Sequence, residues 1–373
     1  MSQKIKGNDF VEKVRTEIDQ RLPLDMMNLG ELMAHKEVPK HRMSWAYYLG
    51  GFTLFFFIVQ VVTGLMLLFY YKPTVSEAHA SVEYITHQVA AGALVRNMHT
   101  WASSLMILSI LIHLITTFAM KAFEKPRELT WVTGVALLLI TFTFGFTGYL
   151  LPWNQIAVNA TKIGLQTIEQ IGHYLPGDLA TWPRHLREII QGEASVGQST
   201  LSRFYAIHVV VLPFLIFGLL GVHLLVVQLH GMSKGVDEPP KGQEKFFPFF
   251  ILKDLTAWGI AFLALFLFAL CLPFESFFPY PLFEPYDALG STPEGIKPEW
   301  YFFFMYYPLE LLPFWLVMLG INGGMVVLLL APWIFKGASR RTLGFLAALA
   351  ALYLFVMTVF GDKIYHLVKG VGG

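Results

Sequence analysis

Seven long apolar runs, separated by polar stretches, dominate the chain. They cover about residues 45–71, 93–120, 131–150, 203–229, 249–272, 311–335 and 342–360. Each is near the ~20 residues a helix needs to cross a bilayer. In lipid the backbone must satisfy its own polar groups, which a helix does. The pattern therefore predicts an all-α membrane protein of about seven transmembrane helices. Residues 1–44 are polar and predict a surface segment, with Val11 to Leu22 spaced as an amphipathic helix. Two connections are long, about 151–202 and 273–310, and loops of that length usually carry function.

The second and fourth runs carry histidines where lipid-facing helices carry none. His99 and His113 are 14 apart; His208 and His223 are 15 apart. At ~1.5 Å per residue each pair is separated by about four turns, ~21 Å, and stays on one face. Spans two and four run the same way, so His99 lies level with His208 and His113 with His223. Intramembrane histidines are costly and mark function. Two facing imidazoles at each level suit a haem iron with two axial ligands. They suit zinc poorly, since it needs four ligands and no Cys or carboxylate lies near them on these helices. With both axial positions filled, such haems would carry electrons rather than bind substrate.

Glycines repeat the interval. Gly50 and Gly64 in the first span, and Gly134 and Gly148 in the third, are also 14 apart. Glycine lets a flat group approach a helix closely, so these are candidate haem-clearance positions. Arg96 and Arg203 stand near the outer histidines and are candidate partners for haem propionates.

Composition and charge narrow the picture further. Of 373 residues 55% are hydrophobic and 14% charged, against about 25% charged in soluble chains. A net charge of +1 argues against a nucleic-acid partner. One cysteine, Cys271, excludes an internal disulfide, a cysteine-held iron–sulfur cluster and a CxxCH haem attachment. The polar N-terminus is not a cleavable signal peptide. Eighteen of the 27 Lys and Arg lie on the side of the N-terminus and the even-numbered loops, which puts that side, and the N-terminus, in the cytoplasm. His99 and His208 then lie near the outer face. A bacterial cytoplasmic membrane is the expected location.

These residues stand in motifs that resemble a known family. Leu49-Gly-Gly, Gln60-Val-Val-Thr-Gly64, Lys125-Pro-Arg-Glu-Leu-Thr-Trp-Val-Thr-Gly134 and Phe146-Thr-Gly-Tyr-Leu-Leu-Pro-Trp153 occur in order with the four histidines. Ser195-Val-Gly-Gln-Ser-Thr-Leu-Ser-Arg-Phe and Pro298-Glu-Trp-Tyr301 complete the set. From about residue 38 to 335 the chain resembles the cytochrome b/b6 subunit of quinol–cytochrome c (or plastocyanin) oxidoreductases. Residues 45–229 look like the b6 part, a dihaem four-helix bundle, and 230–373 like its separate subunit IV, here fused.

The resemblance implies two b-type haems, with His99 and His208 on the outer iron and His113 and His223 on the inner. It implies quinol oxidation near the outer face with Glu299 as proton acceptor and Tyr301 beside it, in a pocket lined by Tyr149, Pro152, Trp153 and Pro298. It implies quinone reduction near the inner face, served by Lys253, Asp254 and Gln228, with His230 nearby. Electron transfer coupled to proton translocation, a Rieske iron–sulfur partner, a c-type cytochrome, the quinone pool and a homodimeric complex follow from the same likeness. The sequence departs from the pattern at Tyr48, where the b6 form has the Cys of a third, covalent haem, so none is expected. Thr100 and Thr116 replace family arginines, and Gln228 a family His or Arg. Two other readings are a dihaem quinone-reactive anchor of another respiratory dehydrogenase, which leaves the Pro298–Tyr301 loop unexplained, and a non-redox transporter, for which no inverted repeats are visible.

Overall fold

The computed structural model describes residues 12–13, 16–17, 19–20, 36–233, 242–272, 274, 284–290 and 296–370. Most of the expected Val11 to Leu22 helix lies outside the described residues. The first apolar run forms α1, Tyr48–Leu68. A short surface helix, α2, Ala78–His87, leads to α3, Gly92–Ala119. The third run is α4, Glu128–Leu150. Two shorter helices follow, α5, Gln155–Gln170, and α6, Trp182–Gln191. The fourth run is α7, Gln198–His230, and the fifth α8, Ile251–Cys271. The chain ends with α9, Phe303–Leu311, α10, Phe314–Leu329, and α11, Arg340–Lys369. Among the described residues six helices are long and apolar enough to cross a membrane, and α10 is a shorter apolar seventh.

Two antiparallel pairs make the central bundle: α1 lies along α3, and α4 along α7. The pairs meet around Phe55, Phe56 and Phe57 of α1, Ala102 and Met106 of α3, Leu137 of α4 and Ile216 of α7, closed by Leu265 of α8. Lipid is as apolar as these side chains, so what holds them is close dispersion packing rather than escape from water. α8 packs on α1 and α3, and α11 on α3 and α9. Ahead of α1, β1, Glu37–Lys40, pairs antiparallel with β2, Gly242–Lys245, and ties the N-terminal segment to the entry of α8.

Three features differ from the sequence pattern. The connection 151–202 is mostly helical. Asn154 caps α5 by accepting from the Ala157 amide at 2.8 Å, a strong start signal inside a stretch too polar to read as a span. This connection is sewn to the other long loop: the Gln155 amide donates to the Glu284 carbonyl at 3.0 Å, and Lys162 donates to the Tyr286 hydroxyl at 2.6 Å. The sixth span is short, 16 residues or roughly 24 Å, because Pro313 precedes it and Pro332 opens the next turn. The seventh does not stop at Phe360 but runs on to Lys369. Gly361-Asp-Lys looks like a helix end in sequence, yet Gly361 sits inside the helix where the Tyr307 ring packs against it.

Candidate functional site

Each of the four glycines lies against one of the four histidines. A Cβ built on Gly50 would stand 3.3 Å from His113 Cε1, and one on Gly64 would stand 3.4 Å from His99 Cε1. On Gly134 it would meet His223 Cε1 at 3.3 Å, and on Gly148 His208 Cε1 at 2.7 Å. The antiparallel pairs explain the crossing order, first glycine with second histidine. Across the bundle His99 lies near His208, and His113 near His223, so the imidazoles stand in two levels.

The tautomer at three of them follows from a threonine next to the glycine. Thr63 Oγ1 lies 2.9 Å from His99 Nδ1, Thr133 Oγ1 2.9 Å from His223 Nδ1, and Thr147 Oγ1 3.1 Å from His208 Nδ1. Each hydroxyl spends its one proton on a helix carbonyl, Val59 at 2.7 Å, Leu129 at 2.9 Å and Thr143 at 2.8 Å. It has only lone pairs left for the ring, so Nδ1 donates and Nε2 is left as the ligating lone pair. At the fourth position Leu49 stands before Gly50, and the buried His113 Nδ1 has no hydrogen-bond partner.

A π turn, Ile207–Val211, contains His208. Pro213 has no N–H to offer the Val209 carbonyl, and the Leu212 amide reaches back to the Ile207 carbonyl instead. A π turn absorbs one extra residue. The 15-residue spacing of α7 thus matches the 14-residue spacing of the glycines facing it on α4.

An acid lies beside each level. The segment carrying Glu299 leans on the C-terminal end of α4. A Cβ on Gly145 would fall 2.6 Å from the Tyr301 hydroxyl, one turn from Gly148 and His208. The Tyr149 hydroxyl donates to the Lys297 carbonyl at 3.5 Å, and Trp300 Nε1 to Ser104 Oγ at 3.3 Å. Glu299 Oε2 is buried without a partner, and burial lifts the carboxyl from its usual 4.5 to about 7. At the inner level a Cβ on Gly51 would fall 2.5 Å from Asp254 Oδ1, next to Gly50 and His113. That oxygen too is buried and unpartnered.

Among the described residues no three His, Cys, Asp or Glu side chains gather to hold a bare metal ion. Two imidazoles per level, set between glycine clearings, fit a metal that brings its equatorial ligands with it, as haem iron does. A model for cytochrome b/b6/petB matches residues 33–231, and one for the C-terminal part, cytochrome b(C-terminal)/b6/petD, matches residues 287–366. The chain belongs to the cytochrome b/b6 family. It is 42% identical over 319 residues to a cytochrome bc complex cytochrome b subunit of Chlorobaculum thiosulfatiphilum, covering 83% of this chain and 71% of that one. It is 41% identical over 210 residues to cytochrome b6 of Synechococcus elongatus, covering 56% of this chain and 94% of that one. A solved hyperthermophilic respiratory Complex III chain shares the fold, with a TM-score of 0.74 and 23% identity over 94% of this chain and 96% of that one. A b6-like part and a subunit IV-like part are fused in this cytochrome b, an integral membrane protein of a family that binds b-type haem.

The remaining candidates of this cytochrome b are placed unevenly. Arg203 is exposed and donates to the Glu188 and Ile189 carbonyls, closing the C-terminus of α6 rather than turning to His208. Its place at a span end allowed either role in sequence. Arg96 donates to Asn97 Oδ1 at 3.1 Å on its own helix. Trp153 is buried with Tyr286 in the outer core; Pro152 is half-buried beside it. Lys253 and Asp254 turn to different neighbours: Lys253 is bound to Glu244, while Asp254 faces Gly51. Gln228 Oε1 accepts from Lys36 Nζ at 2.6 Å, a buried lysine over the Phe246 ring that burial lowers to about 8. Tyr48 stacks on Phe250 at 4.9 Å. Sequence reasoning missed Thr63, Thr133 and Thr147, although the Thr-Gly dipeptide recurs at three of the four clearance glycines. It also missed Gly51 and Gly145, each within one turn of a clearance glycine.

Proposed function

We propose that the chain is the dihaem cytochrome b of a quinol:cytochrome c oxidoreductase. Quinol is oxidised at the outer face and quinone reduced at the inner, with proton translocation. The observation that supports this reading best is a half-buried acid with one buried, unpartnered oxygen near each pair of imidazoles: Asp254 against Gly51, beside Gly50 and His113, and Glu299 two residues from Tyr301, which fills the notch at Gly145 one turn from Gly148 and His208.

His99 and His208 would hold the outer haem through Nε2, and His113 and His223 the inner. Thr63, Thr133 and Thr147 keep the ring protons on Nδ1. A haem at each level would supply one-electron carriage between the two faces. Glu299, with its pKa near the working pH, accepts a proton from quinol hydroxyl oxygen, which is the condition for an efficient general base. Tyr301, buried in the notch left by Gly145, fixes one wall of that pocket, with Tyr149 and Pro298 alongside. Asp254 gives a proton to reduced quinone. Partners expected of such a complex are a Rieske iron–sulfur protein, a c-type cytochrome and a second copy. The domain division at 44 and 229 belongs to the same proposal, as does a cytoplasmic N-terminus.

The test is quinol:cytochrome c turnover by the purified complex with haem quantified per chain. Two b haems per chain, and loss of turnover in Glu299→Gln with both haems retained, are expected. One haem, or full turnover without the carboxylate, would refute the proposal.

A further inference from the structure

Residues 296–299 form no helix or strand. The Tyr149 bond to the Lys297 carbonyl is long, 3.5 Å, and Tyr306 reaches the Ile296 carbonyl at 3.2 Å. The short tie is ionic. Lys297 Nζ lies 2.5 Å from Asp362 Oδ1 on α11, and His366 Nε2, one turn further on, lies 3.7 Å from the same oxygen. α11 grips the next stretch as well. The Tyr353 hydroxyl donates to the Phe304 carbonyl, and the Tyr307 ring fills the space a Cβ on Gly361 would take. The last helix therefore grips the chain on both sides of Glu299, at Lys297 and at Phe304 and Tyr307.

We propose that Asp362 is a positioning residue for quinol oxidation: through Lys297 it fixes where the Glu299 carboxyl stands. This rests on the role given to Glu299 above. Magnitudes separate the role from plain stabilisation. The two side chains are 31% and 47% exposed, and such a pair contributes only about 0–1 kcal/mol to stability. Yet Lys297 is two residues from the base, and an error of ~1 Å at a reacting group costs about a hundredfold in rate. Breaking the pair should therefore leave the fold intact and slow the chemistry.

The experiment compares Asp362→Asn, Asp362→Glu, Lys297→Gln and the exchange Lys297→Asp/Asp362→Lys in the purified complex. Haem per chain, melting temperature, and kcat and KM for quinol are read for each, with Glu299→Gln alongside. The expected result is a roughly tenfold fall in kcat for Asp362→Asn and Lys297→Gln at nearly constant KM, with haem content and melting temperature unchanged. Asp362→Glu and the exchange should recover most of the loss. Should Asp362→Asn not assemble, Lys297→Gln removes the same pair from the other side and must show the same fall. A kcat within twofold of the parent in these single variants, with Glu299→Gln inactive, overturns the positioning role alone. So does a loss that neither Asp362→Glu nor the exchange restores. Full activity in Glu299→Gln overturns the underlying reading instead.

Discussion

Replacing the clearance glycines one at a time by alanine should not give four equal results. At Gly50, Gly64 and Gly134 the new methyl would meet an imidazole carbon at 3.3–3.4 Å, a tight contact that a few tenths of an ångström relieve. At Gly148 it would meet His208 Cε1 at 2.7 Å and Nδ1 at 3.2 Å, so the ring must retreat by about 0.7 Å to reach ordinary contact. It cannot retreat freely, because Thr147 holds Nδ1 at 3.1 Å and Phe144 packs edge-on to the ring. Overpacking of this kind costs about 1–3 kcal/mol, or roughly 5- to 150-fold in ligand affinity. Gly148→Ala should therefore lose or weaken the outer haem and keep the inner one. Gly50→Ala, Gly64→Ala and Gly134→Ala should keep two. Haem extracted per chain, with a redox titration of the visible spectrum, reads both outcomes. The reasoning fails if Gly148→Ala retains two unperturbed haems, or loses the inner one first.

Three further outcomes are expected. Valine in place of Thr63, Thr133 or Thr147 removes the acceptor that makes the ligating ring electron-rich, so the midpoint of that haem should rise; Leu49→Thr should lower the inner one. A hydrogen bond of about 1 kcal/mol corresponds to roughly 40 mV for one electron, within reach of a titration. A base that titrates near 7 is active when ionised, so quinol oxidation should climb with pH through about 7, and Glu299→Gln should abolish that limb along with most of the rate. Lys253→Met should be mild and Asp254→Asn severe for quinone reduction measured at the inner site, since only Asp254 lies against the bundle; equal effects would argue for the pair acting together.

Much of the arrangement was legible because lipid makes polar residues conspicuous. A histidine in an apolar run stands out, and matching intervals of glycine and histidine place two helices against each other before any coordinates exist. Thr63, Thr133 and Thr147 were hidden because threonine inside a membrane helix usually just bonds back to its own carbonyls, which these also do. Arg203 kept two readings in sequence because a cation at a span end serves a helix terminus, as its bonds to the Glu188 and Ile189 carbonyls do, as readily as a propionate. The helices of the 151–202 connection were missed because their moderate polarity looked like loop beside the spans. The reach of α11 was missed because Gly361-Asp-Lys imitates a stop, and only the Tyr307 ring explains a glycine there.

The two helix pairs of the bundle are repeats of one plan. Each has a helix that offers glycines and a helix that offers histidines, and α1–α3 makes broad internal contact, as does α4–α7, while α3 and α4 touch little. Neither pair owns a complete level, since every level takes one imidazole from each. A cofactor seated there acts as a rivet through two half-molecules. Loading a cofactor there would add a cross-link between the two pairs to the dispersion packing they already share around Phe55–Phe57, Leu137 and Ile216. A substitution that took one imidazole from a level would then loosen the hold between the two pairs as well as the site itself.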